Sequence, residues 1–83
     1  MDIKRKIREF MLSEFKNVGF NENILDDESL VNADILDSLS VLKLISFLDE
    51  EFKIELEEDE LNPERLDSID KIASLIKKKY PEL

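Results

Sequence analysis

Cysteine and histidine are both missing from this sequence of 83 residues. Without cysteine the chain can form no disulfide and offers no thiolate for chemistry of its own. Without histidine it lacks the commonest general base and the commonest metal ligand among protein side chains. We therefore predict that the protein is not an enzyme acting alone and that it holds no metal.

Glycine and proline are scarce as well, with one and two residues, and no apolar run approaches the length of a membrane span. Hydrophobic residues make up 42% of the chain and charged residues 40%. This balance is typical of a helical bundle rather than a sheet or a disordered chain. The N-terminus also lacks the apolar core of a secretory signal. We expect a single domain over residues 1–83, monomeric and cytoplasmic.

Positive charge is rare in the middle of the chain. The net charge is −9, yet residues 26–70 contain sixteen acidic residues against three basic ones. Residues 1–8 and 71–83 each contain four basic residues and one acidic residue. Such a field repels nucleic acid and anionic membranes and steers basic protein partners, although acidity can also simply keep a small protein in solution.

Hydrophobic spacing predicts a first helix and a long loop. Apolar residues recur every three or four positions over residues 2–17, with Asp2 placed as an N-cap and Gly19 as a left-handed C-terminal residue. Residues 21–36 form a loop of a length that is often functional. This loop should pack across the bundle because it contains Ile24, Leu25, Leu30, Val31, Ile35 and Leu36.

The second half of the chain reads as two more helices and one short turn. A helix is predicted over residues 37–53, a single helical turn over residues 58–61, and a last helix that begins at Asp67 or Ser68. Three lysines fall in the final turn of that helix, where they suit its dipole, and Pro81 stops it. The prediction is an all-α four-helix bundle, with three long helices, one short helix and a long loop between the first two.

The second helix carries more apolar residues than one buried face requires. At about 100° per residue, one stripe is sufficient to face a core; it comprises Val41, Leu44, Ile45, Leu48 and Phe52. Leu39 and Leu42 fall on another side, near Ser38 at the start of the helix. Either the apolar loop covers these two leucines, or they form an exposed patch that a partner protein contacts.

Asp37 and Ser38 are two capping residues in a row, where a helix needs only one. In the simplest interpretation Ser38 is an ordinary N-cap. If Asp37 is the cap, Ser38 can point outward. The N–H groups and positive dipole end of a helix start would then suit a phosphate attached to the Ser38 hydroxyl.

Residues 33–52, ADILDSLSVLKLISFLDEEF, resemble acyl carrier proteins, and the Asp37-Ser38-Leu39 motif carries the resemblance. The similarity extends to the start of the last helix and covers nearly the full chain. It implies that a phosphopantetheinyl transferase esterifies Ser38 with 4′-phosphopantetheine from coenzyme A. The arm would then hold acyl or aminoacyl cargo as a thioester, while partner enzymes do the chemistry.

The resemblance also implies a surface on which basic partner proteins dock, among them the ligases or synthases that load the cargo. Asp37, Asp49 and Glu50 would contribute its charge, and Leu39 and Leu42 its apolar contacts. Each of the three acids is equally consistent with an ordinary solvated helix face.

Three residues depart from the family pattern. Ile35 stands where the family commonly has glycine, and Ser40 and Lys43 stand where fatty-acid-type carriers usually have acids. Lys43 should lie on the exposed side of its helix and repel a basic partner, which predicts a specialised carrier. The cargo stays open between fatty-acyl, polyketide, D-alanyl and aminoacyl groups, and Leu36-Asp37-Ser38 is a run more often seen in D-alanyl and aminoacyl carriers.

Other functions fit the sequence less well. An unmodified helical interaction domain would keep the fold and use Leu39 and Leu42 only for binding. Calcium binding at residues 26–28 or 57–60 is disfavoured because neither run has the alternating ligands and central glycine of an EF-hand loop. A hydrolase that uses Ser38 would have no general base.

Overall fold

The computed structural model describes residues 2–80, and every regular element in that part of the chain is helical. The α-helices are α1 (Ile3–Glu14), α2 (Ser40–Phe52) and α3 (Ile69–Lys79), and they are joined by 3₁₀ turns at Lys16–Val18, Glu58–Glu60 and Pro63–Leu66. The predicted all-α class is confirmed for these residues. The single helical turn predicted at residues 58–61 is present as the 3₁₀ turn Glu58–Glu60, so these residues contain three α-helices and the predicted four-helix bundle is confirmed only in part. No helix among residues 2–80 is long and apolar enough to cross a membrane.

The short turn Glu58–Glu60 is closed at its start by side chains of its own segment. Glu57 and Glu60 form a reciprocal capping box, in which the Glu57 N–H donates to Glu60 Oε1 at 2.7 Å. A second turn then begins at Pro63, since the Asn62 side chain accepts the Arg65 N–H at 3.0 Å. Proline therefore starts a new turn here, at the first position, where its missing N–H costs nothing.

Helix α1 begins as predicted and ends earlier than residue 17. The Asp2 carboxylate accepts the Arg5 N–H at 3.1 Å, which confirms Asp2 as the N-cap. Beyond Glu14 the chain tightens into a 3₁₀ turn that Gly19 closes in the left-handed conformation, with φ at 108°. The Gly19 and Phe20 N–H groups donate back to Lys16 and Phe15, an arrangement that depends on a residue without Cβ strain.

One hydrophobic core is shared by the three helices and the long loop. The predicted stripes are largely confirmed, and the buried members from the helices are Ile3, Ile7, Met11, Val41, Leu44, Leu48, Phe52, Ile69, Ile72, Ala73 and Ile76. Helix α1 packs against α3. Helix α2 meets α1 through Phe47, whose ring stacks on that of Phe10 at a centroid distance of 4.1 Å.

The long loop is tied to the start of α3. The Asp67 carboxylate accepts hydrogen bonds from the Ser29 hydroxyl and from the Val31 N–H at 2.9 Å. The Asp67 carbonyl accepts the Leu30 N–H at 2.6 Å. Four of the six apolar loop residues are buried, namely Ile24, Leu30, Ile35 and Leu36. Val31 is partly buried and Leu25 is 64% exposed, so the loop packs across the bundle as predicted, through all of these residues except Leu25.

Helix α3 has Ser68 as its cap, which decides between the two predicted starts. The Ser68 hydroxyl accepts the Lys71 N–H at 3.1 Å, and this leaves the Asp67 side chain to bind the loop. The three lysines lie in the last turn as predicted, and the helix ends at Lys79. The predicted stop at Pro81 lies outside the described residues.

Candidate functional site

The start of α2 is built around the Asp37 carboxylate. Its Oδ1 atom accepts the N–H groups of Leu39 at 2.9 Å and Ser40 at 2.8 Å. The Asp37 carbonyl accepts the Val41 N–H at 3.0 Å. Regular α-helical geometry starts at Ser40 rather than at residue 37, but Asp37 opens the first turn and performs the capping.

The same hydrogen bonds keep Asp37 ionised. The Ser40 N–H above all, together with the Ser40 hydroxyl and the Leu39 N–H, holds the pKa of the Asp37 carboxyl below its usual range. A negative charge therefore stands beside Ser38 at neutral pH. The expectation that the N–H groups of the helix start await a phosphate needs correction, because Asp37 already binds two of them.

Ser38 lies on this first turn with its side chain exposed. The chain just before it is fixed, because Ile35 and Leu36 are buried and their N–H groups both donate to the Leu30 carbonyl. Since Asp37 supplies the cap, the Ser38 hydroxyl is not needed to satisfy the helix start. The geometry presents a primary alcohol at a rigid position, which can form a phosphoester when another enzyme activates it.

Leu39 and Leu42 are exposed, by 77% and 59% of their surface. The long loop does not cover them, because it is drawn instead toward Asp67 at the start of α3. Leu44, on the opposite side of the same helix, is completely buried. Of the two alternatives left by the sequence, the structure therefore selects an exposed apolar patch beside Ser38.

The acidic candidates lie further along the same helix. Asp49 and Glu50 are both exposed, about 17 Å from Ser38 along the helix axis at 1.5 Å per residue. Lys43 is exposed between the leucines and these acids, as predicted. One face of α2 thus holds Leu39, Leu42, Lys43, Ser46, Asp49 and Glu50, and the docking of partners on it stays a prediction.

Each of the two acidic runs considered for calcium has a carboxylate that is held in an ion pair. Asp26 pairs with Arg8 at 2.6 Å, and Glu60 pairs with Lys79 at 2.8 Å. Within residues 2–80, no group of three or more possible ligands is placed to hold a metal ion.

Comparison with known proteins gives this helix start its context. The sequence is 35% identical over 78 residues to a protein of Buchnera aphidicola subsp. Baizongia pistaciae (strain Bp) named acyl carrier protein. The match covers 93% of this chain and 94% of the relative, so it necessarily includes all of α2. The chain belongs to the acyl carrier protein family. No protein-family model matches the sequence.

Two features of this acyl carrier family member were not predicted from its sequence. Asp67 and Ser29 hold the loop that leads into the Asp37-Ser38-Leu39 motif, and Phe10 stacks on Phe47 across two helices. The role of Asp67 could have been predicted, since Asp67-Ser68 is a second pair of adjacent capping residues. The stacking of Phe10 on Phe47 could not, because it depends on how α1 and α2 are placed relative to each other.

Proposed function

We propose that this chain carries acyl or aminoacyl cargo as a thioester on a 4′-phosphopantetheine arm attached to Ser38. The observation that supports the proposal most is that Asp37, and not Ser38, caps α2, in a member of the acyl carrier protein family. A serine that caps its helix would be expected to turn its hydroxyl toward the backbone. Here the hydroxyl stays exposed to an incoming modifying enzyme.

The arm supplies the thiol that this sequence of 83 residues does not contain. The chain's own residues hold the attachment point in place. Asp37 fixes the first turn of α2, and the buried Leu36 anchors the chain just before it in the core. The exposed face of α2 is presented to partners. A phosphopantetheinyl transferase must activate the Ser38 hydroxyl, because the chain has no histidine to act as a base.

Docking of partner enzymes on α2 is part of the same proposal. Leu39 and Leu42 would give the apolar contacts next to Ser38, and Asp37, Asp49 and Glu50 would give negative charge. Exposed leucines rimmed by charged residues are a common composition for a protein-binding patch. The partners would be the phosphopantetheinyl transferase and the ligases or synthases that load the cargo.

The test is the intact mass of the purified protein after incubation with coenzyme A and each of several phosphopantetheinyl transferases. The proposal predicts the addition of one phosphopantetheine group per chain with at least one transferase. A mass that stays unchanged with all of them would favour the other candidate, an unmodified helical domain that binds partners through Leu39 and Leu42.

A further inference from the structure

We infer that Lys43 selects the partners of this carrier. The partner it fits is a protein with an apolar socket for Leu39 and Leu42, a neutral or acidic group opposite Lys43, and basic groups opposite Asp49 and Glu50. This inference rests on the proposed function, because it concerns enzymes that dock beside Ser38.

The position of Lys43 places its charge inside the docking face. It lies four residues after Leu39, so the two side chains are neighbours on the helix surface, and it directly follows Leu42. All three residues are exposed. A partner that covers both leucines therefore also covers Lys43 and must accommodate an ammonium group.

Within residues 2–80, Lys43 is not held in an ion pair. Lys43 is the sole basic residue of α2, and none of the six ion pairs found among residues 2–80 includes it. It borders an open depression of about 430 Å³ whose other charged residues are Glu14 and Glu50. Glu51 of the same helix, unlike Lys43, does have an ion-pair partner, because it faces α1 and is bound by Lys6.

The sign of the charge changes along the face over two helical turns. Lys43 and Glu50 are seven residues apart, about 10 Å along the helix axis. A partner whose site is uniformly basic is attracted by Asp49 and Glu50 but repelled by the like charge of Lys43. Like charges at a contact weaken binding and exclude wrong partners, whereas a carboxylate at that point would complete the complementarity.

The probe for this inference is a malonyl transferase whose docking site is lined by arginine and lysine. The acceptors are the wild type, Lys43→Glu, Lys43→Gln and the control Lys77→Glu, each first shown by mass to carry the arm. Lys77 is exposed on α3, away from α2, and its replacement changes the net charge by the same amount. We expect Lys43→Glu to raise kcat/KM about tenfold at low salt, Lys43→Gln to raise it less, and Lys77→Glu to leave it unchanged. High salt should remove the difference.

A reciprocal experiment tests whether Lys43 favours a partner with an acidic group opposite it. When the docking-site arginines of the transferase are changed one at a time to glutamate, one change should improve transfer to the wild type and impair transfer to Lys43→Glu. Equal rates for wild type and Lys43→Glu, or an equal gain with Lys77→Glu, would overturn the inference. So would a wild-type dimer that Lys43→Glu abolishes, since the face would then belong to a second copy. Failure of the proposed function is distinct, because no variant would then acquire the arm.

Discussion

The Asp37 carboxylate accepts the backbone N–H of Ser40 at 2.8 Å and so caps the helix that follows Ser38. Asp67 and Ser68 form a similar pair at the start of α3, but there the serine is the cap. Ser68 caps α3, and Asp67 binds the long loop. In each pair one residue satisfies the helix start and the other is available for a different purpose. At Ser38 we propose that this purpose is covalent attachment.

Replacing Asp37 tests the cap. Asp37→Ala removes the acceptor of two N–H groups and should lower the melting temperature by a few degrees, whereas Asp37→Asn keeps an acceptor oxygen and most of the stability. Because the pKa of Asp37 is lowered by folding, its stabilising effect is present above the unfolded pKa and is lost as the pH falls below about 4. Thermal melts of the three proteins between neutral and acid pH measure this. An Asp37→Ala protein as stable as the wild type would show that Asp37 is not the cap.

Two leucines of α2 should respond in opposite ways to truncation. Leu44 is completely buried, so Leu44→Ala should reduce the free energy of unfolding by about 2–5 kcal/mol. Leu42 is 59% exposed, so Leu42→Ala should change stability little and should instead slow modification by the transferase. Urea unfolding and the modification rate separate the two effects. Normal modification of Leu42→Ala would remove Leu42 from the docking surface.

The Glu60–Lys79 pair predicts a pH dependence of stability. Lys79, joined to Glu60 at 2.8 Å, and the Glu57 N–H lower the pKa of Glu60, and Glu60 in turn raises the pKa of Lys79. The contribution of Glu60 is therefore present above its unfolded pKa and is lost as the pH falls through its folded pKa. The contribution of Lys79 is present below its unfolded pKa and is lost as the pH rises through its folded pKa.

Glu60→Gln should accordingly lower the melting temperature by a few degrees at neutral pH and by less in acid. The matched control is Asp59→Asn, whose ion pair with Arg65 is longer, at 3.7 Å, and exposed on both sides. Asp59→Asn should leave the melting temperature unchanged. Similar losses for the two variants would mean that general charge, and not the shielded pair, controls the effect.

The helices were largely predictable because local chemistry decides them. Asp2 caps the start of α1 and Gly19 closes the turn after it, as the sequence indicates, and the core stripe of α2 follows from its periodicity. The boundaries were less predictable, since the residues after Glu14 and around Pro63 form 3₁₀ turns that depend on competing backbone hydrogen bonds.

The sequence singles out the residues of the candidate site but does not give their geometry. The sequence left open whether Asp37 or Ser38 caps α2 and whether the loop covers Leu39 and Leu42. The cap is decided by the hydrogen bonds that Asp37 accepts within its own turn. Whether the leucines are covered depends on where the loop goes, and its anchor is Asp67, thirty residues further along the chain than Asp37. Contacts between residues so distant in sequence are not encoded in local periodicity.

Added salt should stabilise the protein. Four acids of the middle segment are paired with cations from the chain ends, at Lys4–Asp70, Lys6–Glu51, Arg8–Asp26 and Lys79–Glu60. Asp59 pairs with Arg65 of the same segment, and the other eleven of the sixteen carboxylates in residues 26–70 form no ion pair within residues 2–80. The whole chain has a net charge of −9, so these carboxylates should repel one another. Screening should therefore raise the melting temperature. A fall with moderate salt would show that the four pairs outweigh the repulsion.

The central claim is that Ser38 bears the arm, and its most direct test is the intact mass of single-site variants after incubation with coenzyme A and a transferase that modifies the wild type. The control is Ser74→Ala, which removes an exposed serine of α3 that is not part of the docking face and should leave modification unchanged. Ser38→Ala should show no added phosphopantetheine, while its helical circular dichroism stays that of the wild type because Asp37 still caps α2. A folded Ser38→Ala protein that still acquires the arm would contradict the account.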